Sequence, residues 1–168
     1  MLQHLVELLG NLPKEVVTMF LAMVPILELR GAIPWALSPL PVGGGLEWYQ
    51  AYFFAVIGNT IPVVPLLLGF DWAYNKLKGI PLFNRFFDWL FRRTRKRSAV
   101  IEKYEALGLL LFVAIPLPVT GAWTGTVAAF IFGIRFRLAF PAIVGGILVA
   151  GVVVSLVSLG VIGFWKII

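Results

Sequence analysis

The chain has 168 residues, of which 60% are hydrophobic and only 13% charged, with a formal net charge of +6 and a mean hydropathy of +0.95. A soluble domain runs nearer half apolar and about a quarter charged, so the composition excludes an ordinary water-soluble enzyme. With no cysteine, a single histidine (His4) and no Gly-x-x-x-x-Gly-Lys phosphate loop, it also excludes disulfide scaffolds, thiolate or histidine metal clusters, Ser-His-Asp chemistry and nucleotide-driven work.

Residues 1–12 place Leu2, Leu5, Val6, Leu9 and Leu12 at helical spacing, with Gln3, His4, Glu7 and Asn11 opposite. That pattern predicts an amphipathic helix on the membrane surface, with His4 at the lipid interface. The charged n-region and small-residue cleavage site of a signal peptide are both missing. Pro13 suits the first turn of the helix that follows. Within residues 14–46, the apolar region 16–46 is interrupted in its middle by Glu28 and Arg30. The block 16–27 has 12 residues, roughly 18 Å of helix at about 1.5 Å per residue, which is half the hydrocarbon thickness and predicts a re-entrant hairpin. The Gly43-Gly44-Gly45 run reads as a flexible connector. Residues 48–70 form an uncharged stretch of 23, long enough for a transmembrane helix.

Residues 71–105 carry nine basic side chains (Lys76, Lys78, Arg85, Arg92, Arg93, Arg95, Lys96, Arg97, Lys103) against Asp71, Asp88, Glu102 and Glu105. This is +5 of the chain's +6, and the positive-inside rule makes the segment cytoplasmic. Phe83, Phe86, Phe87, Leu90 and Phe91 form one apolar helical face. The segment reads as a topology determinant with an interfacial helix. The functional alternative is a lipid-headgroup surface in which Arg92, Arg93, Arg95, Lys96 and Arg97 gather anionic lipids. Nucleic acid is not an expected partner for a short basic run between membrane segments. Residues 106–134, another 29 without charge, are broken by prolines and glycines and predict a second re-entrant hairpin. An unbroken span there is the competing reading and would put Arg135 and Arg137 outside. Residues 138–165 give the second full transmembrane helix.

The two halves repeat one order: a Pro/Gly-broken hairpin, then a full span. The first holds MVPILELRGAIPWA followed by AVIGNTIP, and the second VAIPLPVTGAWTGT followed by AIVGGIL. Paired interrupted segments in corresponding places point to a transporter binding site. With 71–105 inside, parity dips the first hairpin in from outside and the second from the cytoplasm, and their tips are expected to meet near the midplane. The expected fold is an all-α integral membrane protein with one membrane domain over 1–168. It is an inverted repeat of two re-entrant helical hairpins, each followed by a full transmembrane helix, with amphipathic interfacial helices.

The chemistry is expected at the tips. Pro34 has no N–H for the Arg30 carbonyl, nor Pro25 for that of Leu21. Residues two apart on a continuous helix do not face each other. One of Glu28 and Arg30 would then risk facing lipid, at roughly 2.5–3.5 kcal/mol. Unwinding at Gly31 is expected to turn both into a hydrated cavity, where broken backbone is tolerated. Arg30 could hold a phosphate through paired N–H groups, and Glu28 could bind and release a proton or cation. A structural pair that only neutralises charge is the plainer alternative. The second tip offers freed carbonyls at Pro116 and Pro118, the hydroxyls of Thr120 and Thr124, the Trp123 indole and, past Gly121, the positive end of a half-helix. Asn59 and Thr60, beside Gly58, read as close-packing positions like Gly145 and Gly146 rather than ligand contacts. Trp35, Trp48 and Trp165 read as interface anchors. One carboxylate and one arginine provide no acid–base pair, so neither an enzyme, a cofactor nor a metal site is expected.

The strings ELRGAIP at 28–34 and PLPVTGAWTG at 116–125 together resemble the small multi-drug export protein family over nearly the whole chain. That family is similar to the DedA superfamily, whose VTT-type domains pair two facing re-entrant loops. The resemblance implies a proton- or sodium-linked transporter. Among relatives, bacterial proteins recycle the undecaprenyl phosphate carrier and eukaryotic ones scramble phospholipids. It makes Glu28 the acidic residue of the first loop and places Arg30 in this branch's own motif. The arginine that DedA proteins carry after an aromatic in the second loop has no counterpart at 116–125; Arg135 and Arg137 follow the hairpin instead. The leading expectation is a multi-pass protein of the cell membrane that moves a lipid or lipid-phosphate headgroup. Export of small cationic compounds through Glu28, or a non-transporting scaffold, are the rivals. Two spans and two hairpins enclose little volume, which favours a homodimer.

Overall fold

The computed structural model describes residues 12–77, 99–117 and 120–165, and these are helical with no strand among them. Seven helices follow in order: α1 (Lys14–Met23), α2 (Glu28–Leu37), α3 (Trp48–Thr60), α4 (Val63–Leu77), α5 (Ala99–Ala114), α6 (Ala122–Phe132) and α7 (Phe136–Trp165). The amphipathic helix expected at the N-terminus, the aromatic face at 83–91 and the arginine cluster at 92–97 lie outside the described residues.

Proline placement explains the first hairpin. The Pro13 carbonyl accepts the Val16 and Val17 N–H groups at 3.0 and 3.1 Å, opening α1. The helix stops before Pro25, which has no N–H to continue it. Val24 turns extended and donates to the Leu21 carbonyl, the group that Pro25 leaves open. The break falls at residues 24–27 and not at Gly31, as the sequence suggests. Gly31 donates to the Leu27 carbonyl at 2.8 Å and lies inside α2, which runs on through Pro34. Losing one bond in the middle of α2 does not end the helix when both flanks are packed. Ser38 then closes it, its N–H and hydroxyl both reaching the Pro34 carbonyl.

The glycine run at 43–45 is not a flexible connector. Gly44 donates to the Trp35 carbonyl, Gly45 to Ser38 and Leu46 to Ala36, folding the loop back over the end of α2. A Cβ on Gly43 would collide with the Ser38 side chain and the Trp35 carbonyl.

Two helices are long and apolar enough to cross a membrane, Trp48–Gly69 with 22 residues and Phe136–Gly163 with 28. The first carries a turn at Ile61 and Pro62 that splits it into α3 and α4. Pro62 supplies no N–H, and its carbonyl accepts Leu66 at 3.1 Å to start α4. The uncharged block at 106–134 is not one span but two short helices, α5 and α6, separated around Pro116. α6 ends at Gly133 in the left-handed conformation. α7 is continuous through Pro141.

The chain forms two compact units, residues 1–60 with 149–168, and residues 61–148. In the first, α1, α2 and α3 pack on one another. The closest approach is at Gly58, where an added Cβ would lie 2.7 Å from Met19 Cα and nearer still to its carbonyl oxygen. α3 also meets α7, Tyr52 filling the space over Gly151. In the second unit α6 packs on α4 and α5. Gly125 lies under Val113, and Gly146 lies against the Leu110 carbonyl. Along α7 the buried positions are mostly small or branched, including Ala139, Ala142, Ile143, Gly146, Ile147, Ala150 and Gly151, while Val152, Leu156, Val157 and Val161 are exposed. Large apolar side chains outward and small ones inward is the pattern of a helix in lipid, where close backbone approach drives packing.

Candidate functional site

Glu28 opens α2 and is the one non-glycine residue with a positive φ, +45°, among the described residues. That conformation costs about 1–2 kcal/mol for a residue with a Cβ and persists only where its surroundings enforce it, typically at functional positions. The side chain is 4% exposed. Its Oε2 accepts a hydrogen bond from Arg30 Nη2 at 3.3 Å, and the Arg30 side chain is 25% exposed. The left-handed turn at Glu28 brings together two side chains that a regular helix would aim apart. Sequence reasoning expected the pair to be freed by unwinding at Gly31; in the structure the chain breaks at residues 24–27 and turns at Glu28 itself. The carboxylate also sits in the first turn of α2, the positive end of the helix dipole. Above the pair, the tip of the hairpin is bare: Ile26 is 86% exposed. Gly31 lies one residue on, with Leu27 carbons 2.9 Å from the place a Cβ would take, and Pro34 is half-buried.

The second tip lies in the other unit and is organised around Thr120. Its hydroxyl accepts the Leu117 N–H at 3.0 Å and faces the Ile115 and Leu117 carbonyls, one of which takes its proton. Gly121 follows at φ +145°, ψ −169°, a conformation essentially confined to glycine, and its carbonyl starts α6 by accepting the Gly125 N–H. Thr124 donates to the same carbonyl at 3.3 Å. These hydroxyls, expected as ligand contacts, have their protons engaged by backbone, so each offers only lone pairs to a ligand. Pro116 and Trp123 are half-buried; Pro118 lies outside the described residues.

Three features were not read from the sequence as site features. Asn59, assigned to packing, is 2% exposed and its Oδ1 has no hydrogen-bond partner. Gly58 makes the close approach to Met19 of α1, and Asn59 is buried beside it. The turn at Pro62 was hidden inside an apolar stretch of spanning length, although Pro62 and Pro65 mark it. Lys76 Nζ lies 4.6 Å from the centre of the Trp72 ring, a cation–π pair where the apolar span gives way to the basic segment.

Long apolar helices, outward-facing large apolar side chains and a buried ion pair at a helix break define a small helical membrane protein. The chain belongs to the family described as putative small multi-drug export protein, which it matches over residues 28–153. That match begins at Glu28 itself. Searches among curated proteins and among solved structures found no match to this chain.

Proposed function

We propose that the protein is a transporter that moves a lipid or lipid-phosphate headgroup across the membrane, with Glu28 as the coupling carboxylate and Arg30 as the headgroup contact. The observation that carries this reading is the strained, buried Glu28 bound to a partly exposed Arg30 at the tip of a broken hairpin. While Glu28 is ionised it holds Arg30. When Glu28 takes a proton the carboxylate loses its charge, and the guanidinium is released to grip a phosphate through paired N–H groups. Proton and anionic headgroup are thereby loaded together, without any covalent step or cofactor. Helices of 10 residues in α1 and α2 reach only about 15 Å at 1.5 Å per residue, which supports a first hairpin that enters and leaves on one side. The repeated order of hairpin and long helix supports an inverted repeat of DedA type.

The family's description supports a second reading, export of small cationic compounds. A cation at Glu28 must displace Arg30 and then sit beside its positive charge, which makes this the weaker fit. The test is translocation of a labelled phosphate-bearing lipid in proteoliposomes. Wild type should exceed empty vesicles, with Arg30→Ala and Glu28→Gln each losing about tenfold or more, the effect of removing one charged hydrogen-bond partner. Rates for both variants equal to wild type would reject this site, and export of cationic dyes that depends on Glu28 alone would favour the second reading.

A further inference from the structure

We infer that Asn59 and the Gly58 carbonyl, at the C-terminal end of α3, form a sodium site. Asn59 falls near the middle of the candidate span Trp48–Gly69, where hydrocarbon supplies no hydrogen-bond partners. A carboxamide held there at 2% exposure should have both ends satisfied, yet Oδ1 is buried without a partner. Burial alone does not explain an oxygen left without a partner, and the close contact with α1 is made by Gly58. Its polar neighbour Thr60 behaves differently, its hydroxyl donating to the Val56 carbonyl at 2.8 Å.

Backbone oxygens also mark this end of α3. α3 ends at Thr60, and Pro62 has no N–H to give the Gly58 carbonyl four residues back. The Met19 carbonyl oxygen crowds the place where a Cβ on Gly58 would stand. The end of α3 is also the negative end of its dipole. These oxygens carry no formal charge. Among the described residues no group of three or more His, Cys, Asp or Glu could hold a metal, so the donor set does not suit a divalent or transition ion. A carboxamide does not take up a proton near neutral pH, which separates this site from Glu28. Neutral amide and carbonyl oxygens at the C-terminal end of a broken membrane helix are the donors that bind sodium in transporters.

The inference deepens the transporter reading by naming a coupling ion, and it is tested without any cargo. The full chain in detergent is melted at fixed ionic strength in sodium, potassium or choline chloride. Wild type should melt higher as sodium rises, reaching a plateau. Asn59→Ala should need about tenfold more sodium or more for half the shift, and Asn59→Asp, which keeps the oxygen and adds charge, about tenfold less. If Asn59→Ala does not fold, wild type and Asn59→Asp still decide. A wild-type melt unchanged by sodium, a response to potassium alone, or an undiminished sodium shift in Asn59→Leu would each overturn the site. Lipid movement without a sodium response removes this site and leaves the transporter standing; a sodium response without lipid movement does the reverse.

Discussion

Glu28 concentrates more physical conflict than any other described residue. It is a carboxylate more than nine-tenths buried in an apolar chain, in a backbone conformation that side chains avoid, answered by a guanidinium. The left-handed turn makes a prediction whose sign depends on it. If φ at position 28 is positive, Glu28→Gly should be more stable than Glu28→Ala by about 1 kcal/mol, since both lose the ion pair and only glycine escapes the strain. At an ordinary helical position the order reverses, glycine being about 1 kcal/mol worse than alanine. Thermal unfolding of the two variants separates these cases. That Glu28 and Arg30 matter is legible from charge alone, because nothing else charged interrupts residues 16–46. How they meet is not legible. Glycine is the residue expected to yield, so Gly31 attracts the break, whereas the chain yields at Glu28, where Pro25 has already stopped α1 and the incoming turn must be closed.

At the scale of helices, proline and glycine positions mark where the helices break, at residues 24–27 and around Pro116, because a missing N–H or a missing side chain acts locally. The same signal at Pro62 is easy to pass over when the flanking residues form an uninterrupted apolar stretch of spanning length, and nothing in that stretch announces that the buried Asn59 oxygen lacks a partner. Packing between α1 and α3 rests on Gly58, with Met19 Cα 2.7 Å from the point an added methyl would occupy. Gly58→Val should therefore cost about 1–3 kcal/mol or more, as overpacking does. Gly69 is a control in the same apolar stretch, with nothing within 4 Å of its Cβ direction. Gly69→Ala should be neutral or stabilise by up to about 1 kcal/mol through helix propensity. Equal losses at the two positions, read from unfolding midpoints, would contradict the contact. The glycine run at 43–45 carries the opposite lesson: composition suggests slack, but backbone hydrogen bonds from Gly44, Gly45 and Leu46 fold the loop back over the end of α2.

For the whole molecule, the exposed apolar surface suits long helices that lie in lipid. The chain has no cysteine, so single introduced thiols report directly. Leu156→Cys on the bare face of α7 should resist a water-soluble thiol reagent in intact vesicles and react only after detergent is added, while Glu47→Cys in the exposed loop before α3 should react at once. Prompt labelling of both would argue against membrane burial of α7. The all-helical class and the two long apolar helices were readable from hydropathy, since a long uncharged run leaves few options besides a helix in lipid. The arrangement of the second tip was not, because whether a threonine hydroxyl faces cargo or its own loop depends on a turn closed by Gly121. The most direct test of coupling through Glu28 is the rate of lipid-phosphate translocation in proteoliposomes measured across a range of pH, for wild type and Glu28→Gln. Coupled loading predicts a rate that changes with pH in wild type and stays flat and low in the variant. Two superimposable pH profiles would contradict it.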